Sequence, residues 1–355
     1  MTTRRFSAPE HPDVDALYGD MASADVQPLW LLEGLMTATP GRGSGAHAWR
    51  WKDLKALGER AGDLVPIERG GDRRVVALAN PHLGGRPYAT STLWGAVQYL
   101  GPGELAPAHR HSPAALRFVL EGEGVWTLVE GDAVPMAPGD LVLTPAWTWH
   151  EHHNPGSEPM IWFDGLDLPI VEALDAVFFQ PGVDREPNRS VAERSASELR
   201  YGSGAGLLPT DRRPATAHSP LYAYRWAETD RALASLVEQA GGRPAALRFA
   251  DPTTGGDVMA TMRCEMHRLP PGGATRRPRR VGSSIWVAFR GGCAVQVDEE
   301  RLTLGQGDIL AVPSWAELSF EAREQADLFC VSDAPVVEAL GLDRVGTGAD
   351  PEGAA

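Results

Sequence analysis

Residues 102–121 read PGELAPAHRHSPAALRFVLE, and residues 139–154 read GDLVLTPAWTWHEHHN. The first stretch holds His109 and His111, which are two residues apart and therefore point to the same face of a β-strand. A strand from the second stretch can bring His150 opposite them. Three neutral imidazoles on one face suit a borderline divalent metal such as iron, with positions left open for other ligands. The spacing therefore predicts a metal site made of these three histidines.

The second stretch belongs to an internal repeat. Its glycine, aspartate, proline and tryptophan recur 168 residues later with the same spacing, first as Gly139, Asp140, Pro145 and Trp147 and then as Gly307, Asp308, Pro313 and Trp315. An upstream Asn80-Pro81 recurs as Asp251-Pro252 at nearly the same offset. Self-similarity of this kind marks a repeated structural unit. The sequence therefore predicts two copies of one β-rich unit, fused head to tail.

Only the first copy carries the metal-binding residues. The second copy has Pro278, Arg280 and Leu318 where the first has its three histidines, and none of these side chains is a metal ligand. We therefore expect one metal ion per chain and a packing role for the second copy. The second copy also contains a basic cluster of Arg276, Arg277, Arg279 and Arg280. We interpret this cluster as a solvated or interface-paired face, with anion binding as the less common alternative.

Length and charge limit the possible functions. The chain has 355 residues, which suggests about two domains, and a formal net charge of −14. So acidic a surface repels nucleic acids and anionic membranes, which favours a small-molecule partner.

Three widely spaced cysteines without a CxxC motif argue against a disulfide scaffold and fit a reducing cytoplasm. No apolar run is long enough to span a bilayer, and no signal peptide is recognisable. We expect a cytoplasmic protein.

Short apolar runs bounded by Gly or Pro predict an all-β dominated fold, a sandwich or barrel. The expected segments are an N-terminal arm with helices at 1–72, a metal-binding β unit at 73–183, a linker with a helix at 184–243, a metal-free β unit at 244–345 and a disordered tail at 346–355. An amphipathic helix is expected within the arm at residues 49–64. The linker helix is expected to start with Thr229 as N-cap and to end before Gly241.

The two histidine-bearing stretches, in a duplicated β framework, resemble the two-part signature of the cupin superfamily, whose fold is a double-sheet jelly roll. Four segments, ANPHLGGRPYAT, PGELAPAHRHSPAALRFVLEGEG, LTPAWTWHEHHN and PMIWFDGLDLP, strongly resemble gentisate 1,2-dioxygenases. They resemble equally the related salicylate and 1-hydroxy-2-naphthoate dioxygenases, which are bicupins. The resemblance implies two double-stranded β-helix jelly rolls with an N-terminal helical arm and a linker helix.

The resemblance also implies an activity. It is that of a mononuclear Fe(II) enzyme with O2 as co-substrate, which opens an aromatic ring between the carbon bearing the carboxylate and the neighbouring carbon bearing the hydroxyl. Members of the family are typically cytoplasmic homotetramers of aromatic catabolism. Gentisate is the expected substrate.

One departure from many cupins narrows the site. Where those proteins carry a fourth-ligand glutamate four residues after the second histidine, this chain has Ala115. A bare three-histidine Fe(II) centre keeps a charge of 2+, which a substrate supplying both a carboxylate and a phenolate would neutralise. The departure therefore favours a hydroxybenzoate-type anion over a neutral substrate.

Two residues near the histidines are candidates for contact with that anion. Arg117 lies six residues beyond His111, where strand alternation can turn it inward, and its planar fork matches a carboxylate. His152 shares parity with His150, so it is expected to face the same cavity. The resemblance implies that it contacts substrate or dioxygen-derived groups there, as a hydrogen-bond donor or an acid–base group. By the same alternation, His153 should face away.

Further contacts are expected from other strands. Trp94 and Gln98 share parity on one strand, where Trp94 can stack on the ring and Gln98 can donate to the carboxylate; a core tryptophan is the equal alternative. Asp164 occupies the position that, in the resembling family, is thought to meet the far ring substituent. Arg73 is a possible second anion contact, but one register slip exchanges it with Arg74.

Two rival functions stay open from the sequence. A different three-histidine cupin dioxygenase, acting on salicylate, 1-hydroxy-2-naphthoate, an aminosalicylate, an aminophenol or a secondary metabolite, would share the metal and the fold. A non-enzymatic bicupin binding protein would lack the inward arginine and the intact triad, and it ranks lower. The ring substituents that fit depend on pocket volume, which the arm around Leu32 and Met36 is expected to influence.

Overall fold

The computed structural model describes residues 12–65, 74–183, 191–204, 206–211 and 216–346. The chain divides into two compact units, Met1–Gly41 and Arg42–Ala355. In the first unit, helix α1 spans Pro12–Ser23 and a single 3₁₀ turn spans Leu29–Leu31. Apolar side chains after α1 are largely exposed, among them Met36 at 88%. This part of the arm therefore has no core of its own.

The second unit begins with a strand and a helix and continues into the first β-rich copy. In chain order its elements are β1 (His47–Trp49), α2 (Trp51–Leu64), β2 (Val75–Ala77), β3 (Trp94–Leu100), β4 (Leu105–His111), β5 (Ala115–Glu121), β6 (Trp126–Val129), β7 (Asp132–Pro135), β8 (Leu141–Thr144), β9 (His150–His153), β10 (Met160–Leu166), α3 (Leu168–Ala173) and β11 (Phe179–Pro181). The central strands β5, β8 and β10 are buried along almost their whole length, which explains their continuous apolar runs.

The connecting segment and the second copy follow. Their elements are α4 (Ala196–Tyr201), β12 (Ala223–Tyr224), α5 (Trp226–Gln239), β13 (Ala245–Arg248), β14 (Arg263–Leu269), β15 (Ala274–Arg277), β16 (Ser284–Arg290), β17 (Cys293–Val297), β18 (Glu300–Leu304), β19 (Ile309–Val312), β20 (Leu318–Glu321), β21 (Ala326–Ser332) and α6 (Ala334–Ala339). No helix among the described residues is long and apolar enough to cross a lipid bilayer.

Each copy forms two antiparallel sheets, as a jelly roll requires. The strand orders are β12-β8-β5-β10-β3-β2 and β11-β4-β9-β6-β7 in the first copy, and β1-β19-β16-β21-β14-β13 and β15-β20-β17-β18 in the second. The inward face of the first copy buries Val119 and Trp162. The opposite face carries Phe118, whose ring stacks on Phe329 of the second copy at a centroid distance of 4.2 Å. One hydrophobic core therefore joins the two six-stranded sheets back to back, and the duplication expected from the sequence is confirmed as a bicupin.

The two copies exchange their leading strands. β1 precedes the first copy but pairs with β19 of the second, and β12 precedes the second copy but pairs with β8 of the first. The helix after each exchanged strand returns to its own copy, because α2 packs on β2 and β3 whereas α5 packs on β13 and β14. The exchange ties both jelly rolls into one unit.

The recurring Gly-Asp pair anchors this exchange. Asp308 accepts a hydrogen bond from the backbone N–H of Trp51 at the start of α2, and Asp140 accepts one from Trp226 at the start of α5, both at 2.8 Å. The arginine before each helix pairs with the same carboxylate. Gly139 has a φ of +88°, and a Cβ there would lie 2.7 Å from the Trp226 ring. Close helix packing therefore requires the glycine, as it does in the second copy.

These tertiary caps decide where the two helices begin. α2 begins at Trp51, two residues after the expected start. α5 begins at Trp226 with Arg225 as its N-cap residue, so the expected cap at Thr229 is wrong. The Thr229 hydroxyl instead donates to the carbonyl of Arg225 from inside the helix at 3.1 Å.

The segment boundaries also differ from those drawn on composition. The compact unit begins at Arg42, so β1 and α2 belong to it rather than to a separate arm. β12 and α5 likewise belong to the two jelly rolls rather than to a free linker. Most of the expected tail, residues 347–355, lies outside the described residues.

Candidate active site

Three histidines meet inside the first copy. β4 and β9 are neighbours, and their register places His109 opposite His150, with His111 two residues farther along β4. The ring of His150 lies 4.3 Å from that of His109 and 4.9 Å from that of His111 between centroids. One ligand atom from each ring falls within 4.8 Å of the other two, and no other such group of three occurs in the described part of the chain. The predicted triad therefore assembles.

The backbone sets the tautomer of all three rings. The Nδ1 atoms of His109, His111 and His150 lie 2.8, 2.7 and 2.9 Å from the carbonyl oxygens of Pro107, Pro113 and Thr148 respectively. A proton on Nδ1 that is donated to a carbonyl leaves the Nε2 lone pair for a metal.

His150 gives the clearest sign of a ligand. Its Nε2 is buried and has no hydrogen-bond partner among the described residues. Burial holds the pKa of this imidazole well below its usual value, and the charge of Arg117 acts in the same direction. A neutral imidazole with an orphaned lone pair fits a divalent metal.

The positions of the second copy that correspond to the histidine triad carry side chains that cannot bind a metal. Leu318 lies opposite Arg277 there, as His150 lies opposite His109 in the first copy. Arg277, rather than the expected Pro278, therefore takes the place of His109, and neither it nor leucine offers a metal ligand. Three arginines of the basic cluster form ion pairs within the chain, Arg276 with Glu317, Arg277 with Glu265 and Arg279 with Asp298.

Arg117 lies inside the first jelly roll with only 4% of its surface exposed. Its Nη1 donates to the hydroxyl of Thr144 at 2.6 Å, and its Nε lies 3.5 Å from Oδ1 of Asp164. That Nε has no hydrogen-bond partner among the described residues. Burial lowers the pKa of the guanidinium, while Asp164 opposes the shift. A buried guanidinium with a donor to spare is suited to an incoming carboxylate.

Asp164 shares this interior. Its Oδ1 accepts a hydrogen bond from the indole N–H of Trp162 at 3.1 Å. Burial raises the pKa of Asp164 to about 6, against the opposing effects of Arg117 and the indole. Near neutral pH the carboxyl is therefore partly protonated and can either donate or accept a hydrogen bond.

The sheet register places two more candidates on the same inward face. Gln98 lies opposite Trp162, and Trp94 lies opposite Leu166, so both share the parity of Asp164. Gln98 is buried and Trp94 is half-buried. Both therefore lie on the face of the sheet that carries Arg117 and Asp164, and their contact with a substrate stays a prediction.

The structure bears on whether Arg73 or Arg74 is the candidate for a second contact with the anion. The guanidinium of Arg74 donates to the carbonyls of Gly62 and Val65, at 3.0 and 3.3 Å, at the end of α2. It is therefore directed towards the end of α2 rather than towards Arg117. Arg73 lies outside the described residues, and its contact with an anion stays a prediction.

His152 and His153 point to opposite faces of β9, as strand alternation predicts. The ring of His152 lies 6.0 Å from that of His150 and 5.4 Å from that of Trp162, on the inward face. The ring of His153 stacks on Trp126 on the outward face at 3.9 Å. Burial holds the pKa of His152 well below its usual value, with Arg117 adding to the effect. His152 is therefore neutral at physiological pH.

Sequence reasoning missed three residues that hold these groups in place. Thr144 orients Arg117, Trp162 donates to Asp164, and Thr127 lies 2.8 Å from Nδ1 of His152. The position of Trp162 could have been predicted from the sequence, because it has the parity of Asp164 on the same strand. The two threonines gave no signal, since threonine is common on any β-strand.

The raised pKa of Asp164 predicts a pH-dependent stability. Because its folded-state pKa of about 6 lies above its unfolded value, the stabilising proton is held at low pH and lost as pH rises through the folded pKa. Asp164→Asn removes this titration. We expect the free energy of unfolding of the variant, relative to wild type, to rise by about 1.4 kcal/mol between pH 5 and pH 7.5.

Guanidinium-induced unfolding at the two pH values measures this difference. The loss of the partner of Arg117 adds a cost that does not depend on pH, so the slope with pH, rather than the absolute value, carries the test. A flat difference between the two proteins would mean that Asp164 is fully ionised in this range.

Comparison with known proteins places the chain among aromatic-ring dioxygenases. The cupin domain family matches residues 96–167. A gentisate 1,2-dioxygenase from a Streptomyces species is 49% identical over 98% of this chain and 99% of its own length. A 5-aminosalicylate 1,2-dioxygenase from a Comamonas species is 34% identical over 94% of this chain and 90% of its own. The crystal structure of salicylate 1,2-dioxygenase from Pseudoaminobacter salicylatoxidans with gentisate superimposes with a TM-score of 0.91, at 44% identity and with 97% and 96% of the two chains covered.

Proposed function

This chain belongs to the family of gentisate 1,2-dioxygenases and related ring-cleaving bicupin dioxygenases, and we propose that it is an Fe(II)-dependent enzyme that opens the ring of gentisate. The reaction inserts O2 between the carbon that bears the carboxylate and the neighbouring carbon that bears the hydroxyl. The observation that carries the proposal is the histidine triad inside the same jelly roll as a buried guanidinium, Arg117. The presence of both the triad and the buried arginine disfavours the alternative of a non-enzymatic binding protein.

One set of residues is proposed to bind the metal and another to bind the substrate. His109, His111 and His150 would hold the iron, which when bound supplies electron transfer between the ring and O2. Arg117 receives the carboxylate through its Nε, which lies 3.5 Å from Asp164 but makes no hydrogen bond with a described residue, while Thr144 keeps the guanidinium in one orientation. Because the guanidinium is buried, water does not compete for the carboxylate.

One further group, Asp164, is placed to meet the ring. Asp164 has one oxygen engaged by Trp162, and its partly protonated carboxyl suits a hydroxyl or amino substituent on the far side of the ring. Gentisate bears a hydroxyl there, whereas salicylate has only hydrogen. A buried polar group left unpaired costs about 1 to 3 kcal/mol, so Asp164 favours gentisate over salicylate.

An aminosalicylate is the runner-up substrate, because an amino group can meet the same carboxyl. The 34% identity to a 5-aminosalicylate 1,2-dioxygenase supports this alternative. Salicylate and 1-hydroxy-2-naphthoate lack that polar substituent and rank lower.

Oxygen uptake separates these candidates. After anaerobic loading with Fe(II), the enzyme should consume O2 fastest with gentisate across a panel that includes salicylate, 5-aminosalicylate and 1-hydroxy-2-naphthoate. We expect the kcat/KM ratio of gentisate to salicylate to exceed about 10, the value of one good polar contact. A ratio below one assigns the enzyme to salicylate, and no uptake with any member of the panel contradicts the proposal.

The proposal includes a homotetramer in the cytoplasm. The exposed apolar side chains between Leu29 and Met36 support burial against another copy. Three free, buried cysteines fit a reducing compartment. Light scattering of the purified protein measures the oligomeric state.

A further inference from the structure

A buried hydroxyl lies next to His152. β6 pairs with β9 so that Thr127 stands directly opposite His152, and its Oγ1 lies 2.8 Å from Nδ1 of the imidazole. The same oxygen lies 3.2 Å from the sulfur of Met136. Thr127 has no exposed surface and Met136 has 4%. Bulk water therefore offers no alternative partner to this chain of three atoms.

The protons along the chain can be counted. A thioether sulfur accepts but does not donate, a hydroxyl carries one proton, and a neutral imidazole carries one N–H. If the Thr127 hydroxyl donates to Met136, then Nδ1 of His152 carries the imidazole proton and donates to Oγ1. If the hydroxyl donates to Nδ1 instead, the sulfur faces an oxygen lone pair with no hydrogen between them. Only the first arrangement satisfies all three atoms.

We propose that Thr127 is a positioning residue, which holds His152 in the Nδ1–H tautomer and so makes its Nε2 a hydrogen-bond acceptor facing the cavity. No described residue bonds this Nε2, and the His152 side chain is 1% exposed. The acceptor is therefore available to a ligand rather than to the protein or bulk solvent.

The three metal-ligating histidines differ from His152 in the group that fixes their tautomer. Their Nδ1 atoms are fixed by backbone carbonyls, which no substitution at the carbonyl residue removes. His152 alone among the four inward-facing histidines of the site is fixed by a side chain. Its tautomer is therefore open to change by one substitution that leaves the triad intact.

An acceptor at this position selects for a hydroxyl hydrogen on the bound aromatic acid, a step that rests on the proposed function. An unprotonated Nε2 can accept a hydrogen bond from that hydroxyl and so orient the ring, while the hydrogen bond between Nδ1 and Thr127 keeps the imidazole in the tautomer that leaves Nε2 free. A donor at Nε2 would instead oppose the hydroxyl hydrogen.

The test compares Thr127→Val, which keeps the shape but removes the hydroxyl, with Thr127→Ser, which keeps the hydroxyl. In the Fe(II) enzyme with gentisate, we expect Thr127→Val to lower kcat about 10- to 100-fold, with KM changed less than about threefold and iron content unchanged. Thr127→Ser should recover kcat to within about threefold of wild type. Met136→Leu removes the sulfur acceptor and should give an intermediate kcat.

The tautomer is measured directly and without turnover. In the full chain labelled with ¹⁵N-histidine and loaded with diamagnetic Zn(II), the His152 signals are identified by their absence in His152→Gln. Wild type should show a protonated Nδ1 and an unprotonated Nε2, and Thr127→Val should lose this preference. A wild-type His152 with its proton on Nε2, or an unaltered tautomer and kcat in a folded Thr127→Val, overturns the proposal. If wild type turned over no hydroxybenzoate, the proposed function would fail while the tautomer assignment could still stand.

Discussion

Replacing His150 with alanine should remove tightly bound iron and ring-cleaving activity together, and the wild-type enzyme should hold one iron per chain. The imidazole of His150 is the only triad member on β9, so its loss leaves two ligands on one strand. Loss of one of three ligands in a site with no carboxylate ligand removes about a third of the bonds to the metal. Mass-spectrometric metal analysis after anaerobic loading and desalting measures both numbers.

A matched control lies in the second copy. His267 is half-buried, in contact with Glu265 and with the ring of Trp286 at 4.9 Å, but it belongs to no group of three metal-ligating side chains in the part of the chain that the structure describes. His267→Gln should keep one iron per chain. The fold of His150→Ala should survive, because the core between the two copies does not include the metal ligands. Two irons per wild-type chain, or full iron in a His109→Ala/His111→Ala double variant, would contradict the assignment of the site to the first jelly roll.

The triad could be predicted because its information is local. Two histidines separated by one residue share a face on any strand, and the duplicated Gly-Asp, Pro and Trp spacing indicated which strand returns opposite them. Arg117 and His152 followed by counting parity along single strands. Each of these inferences needs only a strand assignment and the period of two.

The strand exchange could not be predicted in the same way. Nothing in β1 or β12 says that it pairs with the other copy, since that choice is made by the Asp308 and Asp140 carboxylates more than eighty residues away from the helices they cap. The Arg-Trp pair at the start of each helix, Arg50-Trp51 and Arg225-Trp226, recurs in the sequence. Its meaning becomes clear only with the aspartate partner in view.

Helix starts failed for the same physical reason. Thr229 has the side chain of a good N-cap, but a free N-cap hydroxyl contributes about 1 kcal/mol. The Asp140 carboxylate combines a backbone cap with an ion pair to Arg225. Together these contacts outweigh the local preference and begin the helix one turn earlier.

Arg117→Lys should raise the KM for gentisate about 30- to 100-fold while leaving iron content unchanged, which corresponds to a loss of about 2 to 3 kcal/mol of substrate binding. The chain carries a net charge of −14, so an anionic substrate depends on a local positive group. Arg117 is such a group, and Thr144 occupies one of its nitrogens. An ammonium is a single point that cannot satisfy Thr144 and a carboxylate with the same two-pronged geometry.

A buried arginine elsewhere provides the control for this prediction. Arg268 is 5% exposed and pairs with Asp327 at 2.6 Å in the second copy, so Arg268→Lys should lower stability but leave KM within about twofold of wild type. Anaerobic binding of hydroquinone, a ring without a carboxylate, should be equal in wild type and Arg117→Lys. Hydroquinone lacks only the carboxylate of gentisate. Comparing how Arg117→Lys changes the affinity for each of the two ligands therefore measures the contribution of the contact between Arg117 and the carboxylate. A near-wild-type KM for gentisate in Arg117→Lys would assign the guanidinium to the Asp164 ion pair and leave the carboxylate without its proposed partner.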